Sequence, residues 1–182
     1  MTTYISILRG INVGGHKKIK MDILKQLYFK LGYRNVQTYI QSGNVIFQTM
    51  DSDTIAVEKK ITKQILKVTG LEVPVLVLKL DELKQIVENN PFTLDSIKNT
   101  ASFHVTFLSA IPDTTSVEKL KSTDNGADQF ELLDKVIYVY CPTGYGNTKL
   151  TNTFFENKLK VTATCRNWKT VNELVRLAGL IL

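Results

Sequence analysis

The sequence predicts an α+β fold built as two βαββαβ halves, each followed by an extra helix. Three observations carry this. The order strand, helix, strand, strand, helix, strand, helix can be read once before Pro91 and again from Ser102 onward. In each half the two middle strands are joined by a short polar turn, the mark of a hairpin. No apolar run approaches the roughly 18 residues of a membrane span, so strands and helices have only one another to pack against.

In the first half, "TYISILR" (residues 3–9) reads as a buried strand. "MDILKQLYFKLG" places Leu24, Leu27, Tyr28 and Leu31 at helical spacing, and Gly32 stands where a helix stops. "VQTYI" and "NVIFQT" are strands around the turn "QSG". Residues 54–69 are helical, with Ile55, Ile61, Ile65 and Val68 toward one face and Gly70 closing the pattern. "VPVLVLK" (73–79) is a nearly continuous apolar strand. "DELKQIVENN" (81–90) is a short helix with Asp81 as N-cap, ended by Pro91.

In the second half, "SFHVTFLS" alternates Phe103, Val105 and Phe107 onto one face. Thr115 and Glu118 form a capping box that opens a short helix. "DQFELL" and "KVIYVYC" make a hairpin turning at Asp134-Lys135. "KLTNTFFENKL" is helical and "VTATC" is a short strand. "TVNELVRLAGL" is a helix with Val171, Leu174, Val175 and Ala178 on its apolar face and a capping box of Thr170 and Glu173. Two ferredoxin-like units explain the repeated order with the fewest assumptions: residues 1–91 and residues 92–182. The connection "PFTLDSIKNT" is neither long nor low in complexity, so the halves are expected to pack together.

The formal net charge is +6 over 182 residues, and it is unevenly placed. Residues 1–50 carry +6, residues 51–134 carry −5 and residues 135–182 carry +5. Basic ends that met in space would form one positive face suited to an anion. The start lacks the basic and apolar regions of a signal peptide, so a cytoplasmic location is expected, away from membranes. Cys141 and Cys165 form no CxxC pair, and with His16 and His104 they show no metal-ligand spacing, so no metal is expected.

Four segments can carry binding chemistry. "LRGINVGGHKKIKM" has a glycine loop after a strand, but it fits neither standard phosphate motif: His16 and Lys17 fill the lysine and hydroxyl positions of the Walker pattern. About five residues also separate it from the helix. What remains is bare backbone at Gly14 and Gly15, with Arg9, Asn12, Lys17, Lys18 and Lys20 close by. "CPTGYGNTKL" runs from a strand through Gly144 and Gly146 toward a helix that Asn147 or Thr148 can cap, placing Lys149 in its first turn. A lysine there is unfavourable unless an anion binds. "TCRNWKT" offers Arg166 to fork onto a phosphate or carboxylate, and Trp168 to stack on a ring or to pack in the core. "QSGN" offers Ser42 and Asn44, residues a hairpin turn also favours. Covalent catalysis finds little support: Ser42 lacks the nucleophile elbow, and His104 inside a strand reads as structural.

The blocks "LRGINVGGHKKIKM", "TYIQSGNVIF", "NPF", "GYGNTKLTNTFFE" and "TCRNW" resemble, in this order, those of a bacterial family of unknown function, the one numbered 1697. The resemblance implies a two-part α+β fold of ferredoxin-like topology and supplies no activity or cofactor. The expected function is therefore binding of a small phosphate-bearing ligand, a phosphorylated metabolite or nucleotide, in a basic cleft between the halves. The expected lining is Arg9, Asn12, Gly14, Gly15, Lys17, Ser42, Asn44, Gly144, Gly146, Asn147, Lys149, Arg166 and Trp168. The second reading is a nucleic-acid module using the basic ends and exposed strand tyrosines, Tyr39, Tyr138 and Tyr140.

Overall fold

The structure is a computed structural model that describes residues 1–181. These hold eight strands and six α-helices in a mixed α+β fold with two four-stranded antiparallel sheets. Two compact units emerge, one of Met1–Gln85 with Glu173–Leu182 and one of Ile86–Asn172.

The first unit contains β1 (Thr2–Leu8), α1 (Met21–Lys30), β2 (Arg34–Tyr39), β3 (Asn44–Thr49), α2 (Thr54–Thr69) and β4 (Val75–Lys79), running directly into α3 (Leu80–Glu88). Its sheet has the order β2-β3-β1-β4. The central strand β1 pairs antiparallel with β3 and β4, so Tyr4 faces Phe47 and Leu8 faces Val75 on one surface. That surface packs against Leu24, Leu27 and Tyr28 of α1 and Val57, Ile61 and Ile65 of α2. Ser6, polar in the middle of β1, is tolerated because its hydroxyl shares a 2.6 Å hydrogen bond with Tyr28. Burial in that core pushes the Tyr28 phenol up.

The second unit repeats the plan with β5 (Phe103–Leu108), α4 (Thr114–Lys121), β6 (Gln129–Leu133), β7 (Val136–Tyr140), α5 (Asn152–Leu159) and β8 (Ala163–Asn167), followed by α6 (Trp168–Gly179). Its sheet order is β6-β7-β5-β8. Leu108, Ile137, Val139 and Ala163 form one apolar surface with Leu120 of α4 and Phe155 and Leu159 of α5. The opposite surface carries an aromatic group in which Phe103 touches Phe92, Tyr140 and Trp168.

Several local expectations need correction. On α2 the buried face is Val57, Ile61 and Ile65, while Ile55 and Val68 are 60% and 45% exposed. Ile55 stands two residues from Val57, about 200° around the axis, and Val68 falls in the last turn. Asp81 does not cap α3, because β4 continues into the helix without a linker. The Glu82 carboxylate accepts from the Lys79 amide at 2.7 Å instead. α4 begins before Thr115, with Asp113 accepting from the Ser116 amide at 2.9 Å. Likewise α6 starts at Trp168, so Thr170 is inside the helix and donates its amide to Asn167 Oδ1 at 2.8 Å. Glu173 bridges to Arg176. In the last two cases a short Asp or Asn side chain lies upstream and offers the amide an oxygen earlier.

Candidate functional site

The opening loop of the first unit is a small hairpin with a fixed shape. The Asn12 amide donates to the Lys17 carbonyl at 3.2 Å and the His16 amide to the Val13 carbonyl at 3.0 Å. Between them Gly14 and Gly15 have φ of 58° and 79°. A two-residue turn with both residues left-handed is the type that glycine pairs favour, so these glycines serve the turn, exposed at its tip. Asn12 locks the hairpin to its surroundings. Its amide group donates to the carbonyls of Ile19 and Gln41, both at 2.9 Å, and its Oδ1 accepts from the Ile19 amide at 2.8 Å.

Three more contacts gather the neighbouring segments. The Leu8 amide donates to Gly43, the Arg9 amide to Pro74, and the Lys17 ammonium to the Glu72 carbonyl at 2.6 Å. Lysine has three donors, so this one contact does not exhaust Lys17. Asn44 is buried and donates to Tyr39 O and Ser42 Oγ at 3.0 and 3.1 Å, bracing the β2–β3 turn. Thus Arg9, Asn12, Gly14, Gly15, Lys17, Ser42 and Asn44 belong to one loop cluster at the end of the first sheet. Beside it lies an open groove of about 410 Å³, lined by Asn12, Lys18, Ile19, Lys20, Ile23, Gln41 and Thr69. Thr69 carries no sequence signal and reaches the groove only through the fold; Gln41 belongs to the "QSGN" turn, in which only Ser42 and Asn44 stood out.

The second unit holds the other glycine loop, and here the expected geometry changes. Tyr145–Asn147 form a single 3-10 turn, and α5 begins only at Asn152, capped by Thr151 through the Phe154 amide at 3.2 Å. Asn147 and Thr148 are therefore not its caps, and Lys149 is outside its first turn. The cause is Thr148, which is buried and donates to Asp128 at 2.5 Å. The Thr151 amide then turns back onto the Lys149 carbonyl at 2.8 Å. Asn147 donates to the Thr143 carbonyl at 2.8 Å. Gly144, Gly146, Asn147 and Lys149 are all exposed on this loop. Tyr145 anchors it by stacking on His104, ring centroids 4.4 Å apart. Burial holds the His104 imidazole below its ordinary pKa of 6.5, opposed by a contact with the Ser102 carbonyl.

Arg166 is not on the face of that stack. It pairs in register with Val105, so it leaves the sheet on the side opposite His104. It is buried, its Nη1 donates to the Cys165 carbonyl at 2.8 Å, and burial draws its pKa down to about 10. Trp168 packs edge-on to Phe103 on that same side. Tyr138 is not an exposed platform either: it is buried and its hydroxyl donates to Ile86 O at 2.9 Å. Tyr140 is half-covered by Phe92, Phe103 and Lys98. Both cysteines are free thiols, and burial pushes Cys141 up to about 11. Among the described residues, no group of three or more His, Cys, Asp or Glu could hold a metal, and no helix is long and apolar enough to cross a membrane.

The family model described as "Protein of unknown function (DUF1697)" matches residues 1–138. The chain belongs to this family. The matched stretch of the DUF1697 chain includes the opening loop cluster and stops short of the "GYGNTK" and "TCRNW" blocks. The chain is also similar to a solved structure, that of conserved bacterial protein SP0830 from Streptococcus pneumoniae. The likeness has a TM-score of 0.76 at 22% identity and covers 97% of this chain and 98% of that one. At that identity the likeness speaks for the fold, which spans both halves. No curated protein matches the DUF1697 chain.

Proposed function

We propose that this DUF1697 protein binds a small phosphate-bearing ligand, a phosphorylated metabolite or nucleotide, at the loop cluster of its first unit. The observation that carries this is the groove beside the Asn12-locked hairpin. Lys18 and Lys20 line it, Lys17 sits on the same hairpin, and the lining holds no carboxylate, so the net charge beside the groove is positive. Ile19 and Ile23 give it an apolar wall for a sugar or a ring. A small ligand needs such a mixture of apolar wall and a few convergent polar groups. The exposed Lys149 loop of the second unit is the alternative anion site. The ferredoxin-like reading of each half belongs to the same proposal; it is supported by the two sheet orders, with the helices of each βαββαβ unit covering one face. So does a cytoplasmic location. Stacking of bases on strand tyrosines has no comparable support, because Tyr138 is buried.

The test is a thermal-shift screen of nucleotides, sugar phosphates and pyrophosphate at constant ionic strength, with Trp168 fluorescence as a second reporter. A ligand should raise the melting temperature of the wild type and of Lys149→Ala, but not of Lys18→Ala/Lys20→Ala. A shift that survives the double substitution and disappears in Lys149→Ala would move the site to the second unit.

A further inference from the structure

Helix α2 presents a ladder of lysines to solvent. Lys59, Lys63 and Lys67 recur every fourth residue and are all exposed, about 6 Å apart along the axis. Lys60 lies beside them with its ammonium 2.7 Å from Asp51. The other three make no ion pair or hydrogen bond among the described residues. No acid stands three or four positions from any of the four. Glu58, the only acid on α2, is turned to the sheet, where its carboxylate accepts from the Val77 amide at 2.8 Å.

This pattern weakens the helix that carries it. Like charges four residues apart repel, and only Lys67, in the last turn, gains from the helix dipole. Lys59 and Lys63 stand mid-helix, where neither the dipole nor an acid offsets their charge. We propose that this face of α2 binds the phosphate backbone of a nucleic acid, independently of the small-ligand groove. A polyanion relieves all the repulsions at once, and a regular row of cations suits a regular row of phosphodiesters. An anionic membrane suits the face less well. Its exposed apolar residues, Ile55 and Leu66, are eleven positions apart, about 16 Å along the axis, with Lys59 and Lys63 between them.

Fluorescence anisotropy of a short DNA duplex and a single-stranded RNA, titrated with the intact protein across a salt series, tests this. Wild type should bind at least one of them with the steep salt dependence of phosphate contacts. Lys59→Gln/Lys63→Gln/Lys67→Gln should lower the slope of log K against log salt by about 2–3 and weaken binding tenfold or more at low salt. Lys119→Gln/Lys121→Gln on α4 is the control and should change little. If the triple variant melts early, Lys63→Gln alone should lower the slope by about 1. An unchanged slope, an equal loss in the α4 control, binding only to phosphatidylserine vesicles, or no binding at low salt would each overturn the proposal.

Discussion

At Gly43 the backbone has φ +80°, and a Cβ there would lie 2.6 Å from Ile11 Cδ1 and 2.9 Å from Leu8 Cβ. The residue combines a left-handed turn with close packing under the opening loop. Gly43→Ala should destabilise the protein by about 2–4 kcal/mol, the sum of backbone strain and overpacking, read as a lower midpoint in urea. The glycine turn itself was legible in "QSGN". The contact with Ile11 was not, because it joins segments some thirty positions apart. Asn12 and Asn44 show the same limit: both read as candidate ligand contacts, and both side chains are engaged in holding loops. His104 supports a second test. Burial depresses its folded pKa, while the unfolded chain takes up a proton near 6.5. Stability should therefore be full above 6.5 and fall as the pH drops below it toward the folded pKa. Thermal melts between about pH 7 and pH 5 should show this decline, and His104→Gln should flatten it; an equal slope in both proteins would contradict the assignment.

Helices and strands were legible in kind and order because their apolar periodicity is strong, as in Leu24, Leu27 and Tyr28 of α1. Their first residues were less so. A cap depends on which nearby oxygen the chain geometry presents, and Asp113 and Asn167 took positions that the pattern assigned to Thr115 and Thr170. The start of α5 matters most for function. Thr151, not Asn147 or Thr148, supplies its cap. Thr151→Ala should cost about 1 kcal/mol of stability, measured by chemical denaturation, and Asn147→Ala should leave α5 intact. A larger loss from Asn147→Ala would restore the earlier start of the helix.

For the molecule as a whole, the repeated element order was readable from the sequence, and the two four-stranded antiparallel sheets show the same arrangement of strands. The charge map was only partly readable. Averaging residues 51–134 to −5 concealed the lysine ladder on α2, since a helix sorts its charges by face and a sum over a segment does not. The groove was partly readable too: its lysines were visible in "HKKIK", but Gln41 and Thr69 come from other elements. A phosphate-bearing ligand held in this groove must stabilise the folded protein. The most direct measurement is the melting temperature of wild type and of Lys18→Ala/Lys20→Ala across phosphate-bearing compounds at saturating concentration. A ligand at about one hundred times its Kd adds close to 2.7 kcal/mol. The wild type should show a clear upward shift that the double variant lacks. No shift with any phosphate compound, or the same shift in both proteins, would contradict it.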